Sequence, residues 1–473
     1  MINNLYEQIE LLLNRASEVE DDDIQSITNN LLTLPPQPQS YYRRISVDKL
    51  GILIINQDAH FTPFLRLLEA IAFKGFECQL EYQCNLFNLQ FKRLGIVKFL
   101  LGICEQTDNF EELKLCALFI SLAMKNLEMS RKHLALICDI LMKTVDQANC
   151  STSSTYISHA LCGLVGLCES YSNRPFVYGK IQYSTLIECL NSQDTVVVWR
   201  ALRLFEMCLI DVVERKKLSK EQEFLEAIQE CCIRFVLPLI DSHEKRKAEA
   251  TENKKNDVSQ ESLDKESINP INQNIGQAKT TNSLPNIEDH STSINAVGIT
   301  KSILILLCNF AESDFGCNLL CQMPTVMKCI HELIPTNPFS PSISQYSLEL
   351  IESVFIHFTE SECIFSLIQC GIIDKVIYML IGITNSEIHK TSLIIVKRFF
   401  DFCEEKIVHI ASNVPKDPSL LSQMQSEHEQ RQLVRFRHAI ELFEEEGLSD
   451  IETAFYHHQY VSFFKQTVDV HVP

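Results

Sequence analysis

The sequence predicts an all-α chain built from stacked helical hairpins. Two observations carry that expectation. The first is helical spacing of apolar residues over most of the 473 positions, with only 13 Gly and 15 Pro to punctuate them. Parallel-sheet enzymes need Gly-rich turns, and few are available here. The second is a helix–turn–helix pattern that recurs along the chain. Its clearest copy is GIIDKVIYMLIGITNSEIHKTSLIIVKRFFDFCEE, Gly371 to Glu405. Ile372, Ile373, Val376, Ile377, Leu380 and Ile381 give one wide apolar face. Thr384, Asn385 and Ser386 break it with turn and cap chemistry. Ile388, Leu393, Ile395, Val396, Phe399 and Phe400 form a second run. One such hairpin cannot bury both faces alone and needs neighbours of the same shape.

Taken in order, residues 1–34 read as polar helices, with Asp21, Asp22 and Asp23 among their acidic residues and Arg15 as their basic one. Pro35-Pro36-Gln37-Pro38 then punctuates the chain, so residues 1–40 are set apart as an acidic helical segment and linker. Residues 41–241 read as repeats. Gly95 to Lys125 is the nearest echo of the clearest copy; further copies start near His133, Lys180 and Phe224, with Pro238 expected to end the helix of the last. Residues 242–293 are polar and lack apolar periodicity, which predicts a long disordered insertion. Residues 294–473 return to repeats, with copies near Met323, Gly371 and Gly447 and a Pro-containing polar stretch around 412–430. Most steps are about 40–47 residues, the length of a two- or three-helix repeat.

The formal net charge of −19 argues against a general nucleic-acid binder, which needs a basic surface, and against anionic membrane surfaces. It suits a basic partner. No run reaches the roughly 18 apolar residues of a membrane span, and the N-terminus lacks the pattern of a secretory signal. The 19 Cys contain no CxxC pair, so they read as buried small hydrophobes in a reducing compartment, with no zinc site. The expected location is cytoplasmic, nuclear or both.

The helix–turn–helix copies resemble armadillo repeats: a Gly opens the second helix, and the third carries an apolar face plus an exposed row. The resemblance implies an armadillo/HEAT-like right-handed superhelix. ITKSILILLCNFAES, Ile299 to Ser313, puts Asn309 on the helix-3 Asn position of that family. The run Glu444-Glu445-Glu446-Gly447-Leu448-Ser449-Asp450-Ile451-Glu452, with His457 beyond it, resembles the last repeat of importin-α-type adaptors. Those proteins bind basic peptides with a ladder of Trp and Asn on successive third helices. The corresponding pairs here are Ile305/Asn309, Glu349/Ser353 and Ile394/Arg398, with Arg203 and Met207 in an earlier copy and Trp199 one turn before them. The resemblance therefore implies partner-binding roles on the concave face for Arg203, Ile305, Asn309, Glu349, Ser353, Ile394 and Arg398. The aromatic ladder is largely replaced, and the N-terminus is acidic where the family carries an Arg/Lys-rich carrier-binding segment.

No constellation points to catalysis or to a cofactor. Gly179-Lys180 lacks the preceding glycine of a phosphate loop, and G-x-S-x-G does not occur. His457-His458 reads as helix surface, and His159 with Cys162 as core. Lys245-Arg246-Lys247 and Lys254-Lys255 resemble a two-cluster nuclear-localisation signal, but interleaved Glu residues favour a solvated linker. The expectation is a non-enzymatic protein- or peptide-binding protein. Its leading form is a divergent importin-α-like adaptor for Lys/Arg-rich peptides in nuclear import. The alternative is a regulatory scaffold subunit of a phosphatase, kinase or other multiprotein complex.

Overall fold

The computed structural model describes residues 2–15, 19–33, 47–56, 61–77, 95–124, 128–147, 154–242, 287–334 and 341–358, and parts of 363–402. Every regular element among the described residues is helical. The chain divides into two compact units, Met1–Glu214 and Arg215–Pro473.

Unit 1 holds α1 (Ile2–Asn14), α2 (Asp21–Thr33), α3 (Val47–Ile55), α4 (Phe61–Glu77), α5 (Ile96–Gln106), α6 (Phe110–Ala123), α7 (Arg131–Gln147), α8 (Ser154–Cys168), α9 (Arg174–Lys180), α10 (Tyr183–Leu190) and α11 (Thr195–Leu209). Local chemistry sets several starts. Gly95 caps α5 at φ 72, a left-handed conformation that costs a side-chain-bearing residue. Asn109 caps α6 by accepting from the Glu111 N–H, and Asp194 caps α11 by accepting from Val196 and Val197. These caps satisfy amides that the helix leaves without partners.

Alternate helices form a ladder in which α2, α4, α6, α8 and α11 each pack on the next. The remaining helices pack against this ladder. Helix α6 sits mid-ladder, and Leu115 through Ala123 are buried on every side, the signature of a core helix. Phe64, Phe119 and Phe205 are fully buried in it, each contributing about 1.5–3 kcal/mol. Side-chain ties reveal the repeat length directly. Arg66 donates to Gln25 and Lys180 to Asp139, each pair 41 residues apart; the Met129 N–H donates to Asn173 across 44.

Unit 2 takes the end of α12 (Val212–Leu218), then α13 (Gln222–Cys231), which runs into a π-helical turn at Cys232–Val236. Contrary to the sequence expectation, Pro238 does not end this helix; residues 237–242 stay helical. The π turn is the reason. The Leu237 N–H bonds back to the Cys232 carbonyl, and this wider turn loosens the ladder just before the proline, whose ring would otherwise strike the preceding turn. Then follow α14 (Ile287–Ala311), α15 (Asp314–Cys321), α16 (Pro324–Leu333) and α17 (Pro341–His357), and a helical run at 390–399. Residues 243–286, most of the expected insertion, lie outside the described residues. Its ends differ from the expectation: Ser242 is helical, and α14 begins at Ile287, inside the segment assigned to the loop. The division at 214/215 also falls earlier than the insertion. Within unit 2, Arg215 bonds the Glu312 carbonyl and carboxylate, and Phe224 meets Phe310 edge-on.

The same repeat length operates here. Cys363 donates to Asn318 across 45 residues, Lys375 to the His331 carbonyl across 44, and Gln345 to Thr391 across 46. Gly371, like Gly95, has a positive φ, 69°, so both hairpins expected to open on glycine use the conformation that glycine permits. Ile372, Ile373, Val376, Ile388, Ile395, Val396 and Phe399 are buried as their spacing predicts; Ile377, Leu380, Ile381 and Phe400 lie outside the described side chains. The chain is an all-α solenoid of armadillo/HEAT-length helical repeats.

Candidate functional site

In unit 2 three third-position helices lie side by side: α14, α17 and 390–399. Helices α14 and α17 pack along their lengths. Lys301 of α14 places its ammonium 5.4 Å from the Tyr346 ring of α17, and Cys308 donates to the Tyr346 carbonyl. Helix α17 is joined to the next by the Gln345–Thr391 bond and by Phe355 against Phe399.

Each helix buries one face in this packing and leaves a stripe in contact with solvent. On α14 the stripe is Lys301, Ile305, Cys308 and Asn309; on α17 it includes Gln345, Glu349, Ser353 and Ile356. On 390–399 it is Lys390, Leu393, Ile394, Lys397 and Arg398, with Leu393 half-buried where its spacing predicted core. The six unit 2 residues singled out from sequence thus all fall on these stripes. The stripes adjoin: burial, with Glu349 and Glu312 nearby, pushes the Cys308 thiol up.

The chemistry of the row is mixed, polar with aliphatic steps at Ile305, Ile356, Leu393 and Ile394. Gln345 donates to the Glu349 carboxylate at 2.9 Å. This neutral amide orients Glu349 without neutralising it. No cation among the described residues pairs with Glu349, and no described carboxylate pairs with Lys390, Lys397 or Arg398. Sequence reasoning missed Lys390, Lys397 and Gln345. The signal was available, because these polar residues interrupt apolar helices at spacings of three and four.

Arg203 lies in unit 1, on α11. Its guanidinium donates to Glu206 at 2.6 Å, with Glu206 buried and Arg203 half-exposed. One turn earlier, Arg200 stacks over the Trp199 ring at 4.3 Å. The chain's single Trp is half-buried with its face occupied by a cation from the same helix.

Unit 1 also holds a polar cluster that sequence reading did not assemble. His159 Nδ1 and Glu69 Oε1 lie 2.6 Å apart, both buried, bridging α8 and α4 across 90 residues. Phe73 stacks on the His159 ring at 3.5 Å, and Tyr156 meets its edge. Lys114 of α6 lies over Tyr156 at 4.1 Å and pairs with Glu111. The buried pair ties α4 to α8, helices two steps apart on the ladder.

Among the described residues no group of three or more His, Cys, Asp and Glu is placed to hold a metal ion, and no helix is long and apolar enough to cross a membrane. The described cysteines are free thiols, most of them buried. Burial pushes Cys138, Cys189, Cys231 and Cys317 up to about 12, which keeps them as unreactive thiols at neutral pH. Glu444–Glu446, Gly447 and His457 lie outside the described residues.

No protein-family model matches the chain, and no curated protein sequence matches it. Solved structures do. The chain is similar to an engineered protein at TM-score 0.51 and 14% identity, covering 98% of this chain and 97% of that one. It is similar to a designed armadillo repeat protein in complex with the peptide (KR)4, at TM-score 0.40 and 12% identity over 63% of this chain and 98% of that one. A chain from a study of the cadherin and β-catenin interaction matches at TM-score 0.45 and 10% identity, over 83% of this chain and 77% of that one. The first likeness bears on the fold alone.

Proposed function

We propose that this chain is a non-enzymatic peptide-binding protein, and that an extended segment of its partner lies across the stripes of α14, α17 and 390–399. The observation that carries the reading is the row itself. Successive repeats present Ile305/Asn309, Glu349/Ser353 and Ile394/Arg398 at one register and in contact with solvent. Side-chain amides and hydroxyls such as Asn309 and Ser353 can hold a peptide backbone. Repeat proteins characteristically use such extended surfaces.

The finer reading is a divergent importin-α-like adaptor that carries Lys/Arg-containing cargo in nuclear import, acting in the cytoplasm and nucleus. Glu349 supports it as a carboxylate that can accept a basic side chain. It stands where the family's Trp would offer a stacking face, so binding should rest on exposed charge and fall steeply with salt. Titrating a Lys/Arg-rich peptide at low and high salt tests this. Weak, salt-sensitive binding that Glu349→Lys abolishes is the expected result. No binding at low salt, with Glu349→Lys making no difference, would remove the adaptor reading and leave the regulatory scaffold.

A further inference from the structure

We infer that the partner peptide is charge-asymmetric: a basic residue sits at Glu349, and an acidic residue about three positions away sits at Arg398. The inference rests on the peptide-binding reading above and names the chemistry of its ligand.

The argument begins with which charges are already used. Glu312, at the end of α14, is paired with Arg215. Lys301 is drawn over Tyr346. What remains along the row is uneven. Helix α17 offers the carboxylate of Glu349, held by Gln345, with Glu352 half-buried on the same helix. Helix 390–399 offers Lys390, Lys397 and Arg398, all exposed. None of these four stripe charges has an opposite charge among the described residues. Among the described residues Asp401, half-buried one turn beyond Lys397, is the acid near that end; Glu387, Glu404 and Glu405 lie outside them. The row therefore runs from an acidic step to a basic step between adjacent helices.

An all-basic peptide would satisfy the first step and meet like charge at the second. Like-charge contacts select against wrong partners. The spacing follows from packing geometry. Adjacent helix axes lie about 8–10 Å apart, and a peptide in the extended polyproline II form advances about 3.1 Å per residue and returns a side chain to the same face every third residue. About three residues then separate the side chains that face Glu349 and Arg398. Ile394, between Lys390 and Arg398 on the stripe, offers an apolar contact for an intervening side chain.

Three otherwise identical peptides on the intact chain test the inference: Lys-x-x-Glu, Lys-x-x-Lys and Glu-x-x-Glu, with neutral flanks, measured by fluorescence anisotropy at low salt. The expected order puts Lys-x-x-Glu about fivefold tighter than either alternative, the worth of one exposed ion pair. Glu349→Lys should shift the preference to Glu-x-x-Glu, and Arg398→Glu to Lys-x-x-Lys. Both positions are solvent-facing, and unchanged thermal melting confirms that the variants fold. If Lys-x-x-Lys or Glu-x-x-Glu binds the parent chain best, the asymmetry is wrong and peptide binding stands. If no peptide binds, both readings fall.

Discussion

Gly163→Ala probes the closest approach between ladder helices. Gly163 lies on α8, and a Cβ built there would sit 2.2 Å from Ser121 Oγ and 3.0 Å from Ser121 Cβ on α6, with Leu141 Cδ1 of α7 at 3.3 Å. The Ser121 hydroxyl donates to the Leu118 carbonyl. Rotating it away relieves the first contact, gives up that bond, and leaves the second. The helices must part, and overpacking of this kind costs about 1–3 kcal/mol, here toward the upper end. Alanine's better helix propensity returns about 1 kcal/mol. The net expectation is a loss of about 1–2 kcal/mol. Urea unfolding followed by Trp199 fluorescence reports on this unit, since the single Trp lies on α11 of the same ladder. Adding Ser121→Gly removes both close contacts. The double-mutant cycle should then show favourable coupling of about 1–3 kcal/mol. A Gly163→Ala chain as stable as the parent, or zero coupling, would refute the close packing of α6 on α8.

Two other perturbations follow from the same geometry. Glu69→Ala leaves the buried His159 ring without its partner and should cost about 1–3 kcal/mol, while Glu69→Gln, which keeps a hydrogen-bonding oxygen, should cost less; equal, negligible losses by urea midpoint would contradict the buried tie. Gly95→Ala should cost about 1–2 kcal/mol because φ 72 disfavours a side chain, whereas Gly102→Ala, mid-helix with open space around its added methyl, should gain up to about 1 kcal/mol; the same sign for both in thermal melts would show that the Gly95 conformation is not what fixes its residue type.

The repeat was legible because it is local. Gly95 and Gly371, the apolar runs and the polar turns each lie within one hairpin, and the side-chain ties at 41–46 residues fall on the same step. The exposed stripe was legible through Asn309, Ser353 and Arg398, which share a position within their repeats. Other features left no local trace. Glu69 and His159 meet across two repeats, and neither residue's neighbours in sequence announce a partner 90 positions away. Pro238 was expected to stop a helix; the adjustment that lets the helix continue lies in hydrogen bonding upstream, at Cys232–Val236. The start of α14 at Ile287 extends into a polar stretch whose composition argued for a loop.

The central claim is that a partner peptide lies on the stripes of α14, α17 and 390–399. Site-specific photo-crosslinking tests it directly. A photoreactive phenylalanine analogue is placed at Ser353, on the proposed row, or at Ile52, an exposed position on α3, and the chain is irradiated with the Lys-x-x-Glu peptide. The account predicts a covalent adduct from position 353 that unlabelled peptide competes away, and none from position 52. Adducts of equal yield from both positions, or from position 52 alone, would contradict it.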